Sequence, residues 1–134
     1  MTWKSYHDRG AVLRDVITAV EARNDGLLPM DVTGVTEAFG DELGLLGALQ
    51  LRWHTRLAGR IERELARDPA DPVAAVAEAR RATARDLPGV RAVIDHYTGH
   101  PLDERMARAT AIAARKERAL LLGRLDMRWG TLVA

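Results

Sequence analysis

The chain has no cysteine, a single serine, two lysines and six aromatic residues among its 134. Without cysteine there is no disulfide, no thiolate nucleophile and no Cys-ligated zinc or iron–sulfur cluster. Ser5 does not stand in a nucleophile elbow, so covalent catalysis would fall to Thr, Lys, Tyr or a carboxylate. No G-x-G-x-x-G, P-loop or H-E-x-x-H occurs either. An enzyme is therefore possible but unsupported, and the cofactor is left unknown. With so few aromatics, the core must be built from Leu, Val, Ile and Ala. No stretch reaches the ~18 apolar residues that a membrane span needs. The opening Met-Thr-Trp-Lys-Ser-Tyr lacks the apolar segment of a signal peptide, so a cytoplasmic, membrane-free protein is expected.

Charge is nearly balanced at +1. A nucleic-acid partner would then have to use a concentrated basic face rather than an overall excess. Lys4 and Lys116 are the only lysines, which leaves 18 arginines (20 − 2) and reads as high-GC coding. Apolar residues make up 47% and charged residues 29%, the proportions of a folded globular chain and not of a disordered one. The length suits one domain spanning residues 1–134.

Apolar side chains return every three or four positions along most of the chain, and no stretch alternates with period two. Ser5 and Asp8 resemble a capping box, after which Val12, Leu13, Val16, Ile17 and Val20 form a helical stripe. Asn24-Asp25-Gly26 ends it; this turn lacks the alternating carboxylates and closing Glu of a calcium loop. Leu27 to Gly40 reads as irregular, with Val32, Val35 and Phe39 tucked inward around a short helical turn. Asp41 caps a helix running to about Arg67, with Leu46, Leu49, Trp53, Leu57, Ile61 and Leu65 inward. Asp68-Pro69 stops it, and Asp71-Pro72 starts a thin, Ala-rich helix from Val73 to about Arg85. Pro88 breaks or kinks this helix. Val90, Val93, Ile94 and Tyr97 mark the next one. A last helix from about Leu102 to Arg128 is expected to bury Leu102, Met106, Ala109, Ala113, Leu120 and Met127. The fold class is all-α: a bundle of four to six helices with a kinked or broken helix near Pro88.

Two clusters carry candidate function. Arg52, Arg56, Arg60, Arg63 and Arg67 fall within an arc of roughly 80° at ~100° per residue, beside the apolar stripe. Five like charges on one face call for an anionic partner, unless the face is a solvated edge or is met by carboxylates from another helix such as Asp103, Glu104 or Glu117. Glu62 and Glu64 lie to either side of the ladder. The second cluster is polar and inward. Gln50 and His54 sit between Trp53, Leu57 and Ile61, and Asp95, His96, Tyr97 and His100 are candidate partners on a neighbouring helix. They point to a small ligand pocket, or to a hydrogen-bonded core histidine. A His54 site joined by His96 or His100 could hold a metal; the Glu-x-x-His pattern of di-iron bundles is missing, since Leu65 follows Glu62 and Leu120 follows Glu117.

Phe39-Gly40-Asp41-Glu42 followed by Leu45-Leu46-x-Ala48-Leu49 resembles the join between the DNA-binding head and first body helix of TetR-type repressors. The resemblance covers about eleven residues. It implies a helix-turn-helix upstream, where Pro29 and Gly34 stand instead, and a longer dimerising body than this chain has. The leading expectation is a non-enzymatic interaction module. It would self-associate as a homodimer or bind a protein or anionic partner through the arginine face. Trp129, Leu132 and Val133 at the chain end read either as a second contact or as packing onto the chain's own core. A small-molecule or metal-binding bundle around His54 and Tyr97 is the alternative, and a TetR-like DNA-binding regulator fragment the second alternative.

Overall fold

A computed structural model describes residues 3–68 and 70–133, with side chains described over 8–68 and 70–123. The described residues form an all-α bundle: α1 (Trp3–Arg23), α2 (Val35–Phe39), α3 (Glu42–Arg67), α4 (Pro72–Asp86), α5 (Pro88–Gly99) and α6 (Glu104–Val133). No strand occurs among them.

The helix ends follow from local chemistry. Asn24 and Gly26 take left-handed φ of 49° and 72°, turning the chain sharply after α1. The Leu27 amide bonds the Asp25 carboxylate at 3.0 Å, and both Arg23 guanidinium nitrogens reach Asp31 at 2.7 Å, pinning the loop. Asp41 accepts from the Gly44 amide and Asp71 from the Ala74 amide, so both expected caps form. α4 stops at Asp86 and α5 begins at Pro88, with Leu87 between them.

Leu87 has no side chain able to cap α5, and a residue of α1 supplies the missing acceptor. The Glu21 carboxylate takes the Gly89 and Val90 amides at 3.0 and 2.8 Å. A carboxylate at a helix N-terminus also meets the positive end of the helix dipole. Gly89 lets the helices close: a Cβ there would stand 2.4 Å from the Val20 carbonyl oxygen and 2.8 Å from Glu21 Cα.

Two apolar clusters fill the bundle, and α3 runs through both. The larger joins Val16 and Val20 of α1, Val35 of α2, Leu45, Leu46, Leu49 and Trp53 of α3, Val90, Val93, Ile94 and Tyr97 of α5, and Met106 of α6. The smaller joins Leu57 and Ile61 to Val76 and Ala79 of α4, with Leu65, Leu120 and Leu121 packed against them. Each fully buried Leu or Val contributes roughly 2 kcal/mol of transfer free energy. α4 lies along α3 more extensively than any other pair of helices in the bundle, and its inner face is small (Ala75, Val76, Ala79, Ala82), which permits that close approach.

Several sequence expectations need correction. α1 begins at Trp3, so Ser5 lies inside the helix instead of at its cap; its side chain is outside the described residues. Leu102 precedes α6 and is 60% exposed, whereas Asp103 caps that helix by accepting from the Met106 amide. Ala109, Ala113 and Leu120 are half-buried, and Met127 lies outside the described side chains. α6 continues past Arg128 to Val133, because one glycine at 130 weakens a helix without ending it. The side chains of Trp129, Leu132 and Val133 also lie outside the described set.

Candidate functional site: an arginine edge and a polar cleft on α3

On the outer edge of α3 the arginine ladder forms as the periodicity requires, but its counter-ions differ from those expected. Glu64 flanks the ladder as expected and pairs with it from the buried side. It turns inward, is buried, and stands 3.3 Å from Arg60 Nε and 3.7 Å from Arg67 Nη1. The Arg60 contact is poorly aligned, and Nε makes no hydrogen bond. The three carboxylates proposed from the sequence go elsewhere: Asp103 caps α6, Glu104 pairs with Arg108, and Glu117 points into the bundle. Arg56 and Arg63 are exposed and Arg52 half-buried; none of the three has an acidic partner among the described residues.

On the inner side, α3, α5 and α6 enclose a cleft of about 50 Å³, lined by Gln50, Trp53 and His54 of α3, by Arg91, Ile94 and Thr98 of α5, and by α6. Glu117 of α6 organises its charged end. It accepts from the Trp53 indole Nε1 and from Arg91 Nη1 at 2.6 Å, and stands 3.8 Å from Arg80 of α4. Arg91 lies over the Trp53 ring, 4.8 Å from its centre, and also pairs with Asp95 at 2.7 Å. Four helices thus meet at one carboxylate. Charge is locally balanced, with Arg80 and Arg91 facing Glu117 and Asp95.

Gln50 is nine-tenths buried, and its amide nitrogen has no hydrogen-bond partner. Burial holds the His54 imidazole below its ordinary pKa; the Glu117 charge and a hydrogen bond to the Ala113 backbone oppose that shift without cancelling it. His54 is therefore biased toward its neutral form.

The sequence-selected polar residues separate into two groups. Gln50, Trp53 and His54 line the cleft, and Asp95 reaches it only through Arg91. His96, Tyr97 and His100 do not line it. Tyr97 is buried against the α1–α2 loop, where its hydroxyl accepts from the Leu28 amide at 3.1 Å. The His96 ring meets Tyr97 edge-on and stacks on His100 at 5.0 Å. Among the described residues, no group of three His, Asp or Glu side chains could hold a metal ion. Glu117, Arg91 and Arg80 were missed as site residues. The signal was present: Glu117 continues the inner spacing of Met106, Thr110 and Ala113 on α6, so a charge lay on a buried stripe.

A wider groove of about 500 Å³ runs between α1 and α2, with Asp8, Asp15 and Glu37 exposed along it. It holds no buried polar group and is open to solvent.

The site belongs to an all-α helical bundle in which one charged network joins four helices. No protein-family model matches the chain, and no curated protein or solved structure matches it. The TetR-type head is also missing from the described fold, since only the five-residue α2 stands between α1 and α3.

Proposed function

We propose that the protein is a helical interaction module that holds an acidic protein surface along the outer edge of α3. One observation carries this reading: five arginines share one helix edge, and among the described ion pairs Glu64 is the one carboxylate that answers them. Arg52 and Arg63 lie eleven steps apart with Arg56 between them, about 16 Å of helix at 1.5 Å per residue. Guanidinium groups in such a row favour carboxylates, which they hold through paired hydrogen bonds. A chain of net charge +1 has little long-range pull on a nucleic acid, and this favours a short acidic protein segment instead. The contact is narrow, so it is weak and sensitive to salt.

Titration of the protein with poly-glutamate at rising salt tests this. Binding should be measurable at low ionic strength and fade as salt is added. Replacing Arg52, Arg56 and Arg63 together with Gln should weaken it at least tenfold while leaving the melting temperature nearly unchanged. No binding at low salt, or equal binding by the triple variant, would sink the proposal. A doubled mass in light scattering that falls to the monomer value in the triple variant would identify the acidic surface as that of a second copy.

A further inference from the structure

We propose that the cleft between α3, α5 and α6 is a binding site for a small uncharged group of the carboxamide type, separate from the arginine edge. Its hydrogen-bonding capacity defines the occupant. Gln50 brings a buried amide nitrogen with no acceptor. Thr98 and Thr110 also line the cleft, and each gives its hydroxyl proton to a backbone carbonyl, Ile94 at 2.7 Å and Ala107 at 3.0 Å. Their oxygens are left able only to accept. A matching group therefore carries one oxygen acceptor for Gln50 and N–H donors for the threonines.

Charge narrows the choice further. Arg91 is already bonded to both Asp95 and Glu117, and Glu117 to Trp53 and Arg91 with Arg80 beside it. Neither carries spare charge for a ligand ion, and burial keeps His54 toward neutral. A carboxylate or ammonium would lose its hydration here without gaining a counter-ion. The remaining walls are apolar: the Trp53 ring, Ile94, Ala113 and Ala114. At about 50 Å³ the space is roughly a third of the ~150 Å³ that admits benzene, so it takes two or three non-hydrogen atoms. A terminal carboxamide meets all three conditions.

The probe is formamide, with formate as its charged counterpart of equal size. So few atoms limit affinity to about the millimolar range. In ¹⁵N-resolved spectra, formamide should shift the Trp53 indole resonance saturably, and formate should not. Gln50→Leu removes the donor; Ala114→Leu, at an exposed position, fills the cleft from α6 without touching the core. Each should weaken the response at least fivefold, and Ala114→Leu keeps the test valid even if Gln50→Leu disturbs folding. A linear drift without saturation, an undiminished response in Ala114→Leu, or equal binding of formate overturns the proposal.

Discussion

Removing the Glu117 carboxylate would strand two donors at once, the Trp53 indole and the Arg91 guanidinium, both largely out of water. Leaving a buried charge unpaired commonly costs about 3–5 kcal/mol. Arg91 keeps Asp95 and some solvent contact, so Glu117→Leu should destabilise by about 2–3 kcal/mol in urea unfolding. Glu117→Gln keeps an acceptor and should lose about half as much. His54 sets a dependence on pH. Its folded pKa lies below the ordinary 6.5, so below that value the unfolded chain binds the extra proton more readily than the folded one. The stability held by neutral His54 is thus fully present above pH 6.5 and is lost as pH falls through and below it. Unfolding midpoints measured from pH 7.5 to 5 should drop more steeply for the wild type than for His54→Gln. At this scale the sequence was legible in part. Spacing placed Gln50, Trp53 and His54 inward, whereas Tyr97 shares the same periodicity yet serves the Leu28 amide, because the rotation of α5 against its neighbours is not written in its own repeat.

At the scale of elements, helix positions were readable wherever a cap or a breaker acts locally. Asp41 and Asp71 act through bonds to nearby amides, Pro88 through its missing N–H and the Asn24–Gly26 turn through left-handed φ, and each stands where a helix starts or stops. α5 shows where that logic fails. Its cap comes from Glu21, which no pattern around residue 88 announces. Glu21→Ala should therefore destabilise the protein by about 1–2 kcal/mol in thermal or urea unfolding, the size of a lost N-cap. Gly89→Ala should be worse, about 3 kcal/mol, because the new methyl would press on α1 backbone, which cannot rotate aside. An effect of Gly89→Ala under 1 kcal/mol would show that the two helices part easily.

For the molecule as a whole, α3 links two apolar clusters that have no buried residue in common. Leu57 belongs to the smaller one, where few neighbours can shift to fill a gap, and Leu57→Ala should cost about 3 kcal/mol. The all-α class followed from the period of the apolar residues, but the partnering of helices did not. Periodicity reports which face of a helix is hidden and is silent on what hides it, and this is why Glu117 was set against the arginine edge and not against Arg91.

The bond from Glu21 to the Gly89 and Val90 amides spans 68 and 69 residues of sequence. The first turn of α5 is therefore protected by a distant segment of chain. In deuterium exchange, those two amides should open in step with α1 and not with the rest of α5. A protease that trims α1 would then release the start of α5 as well, and damage at one end of the chain would be felt near its middle.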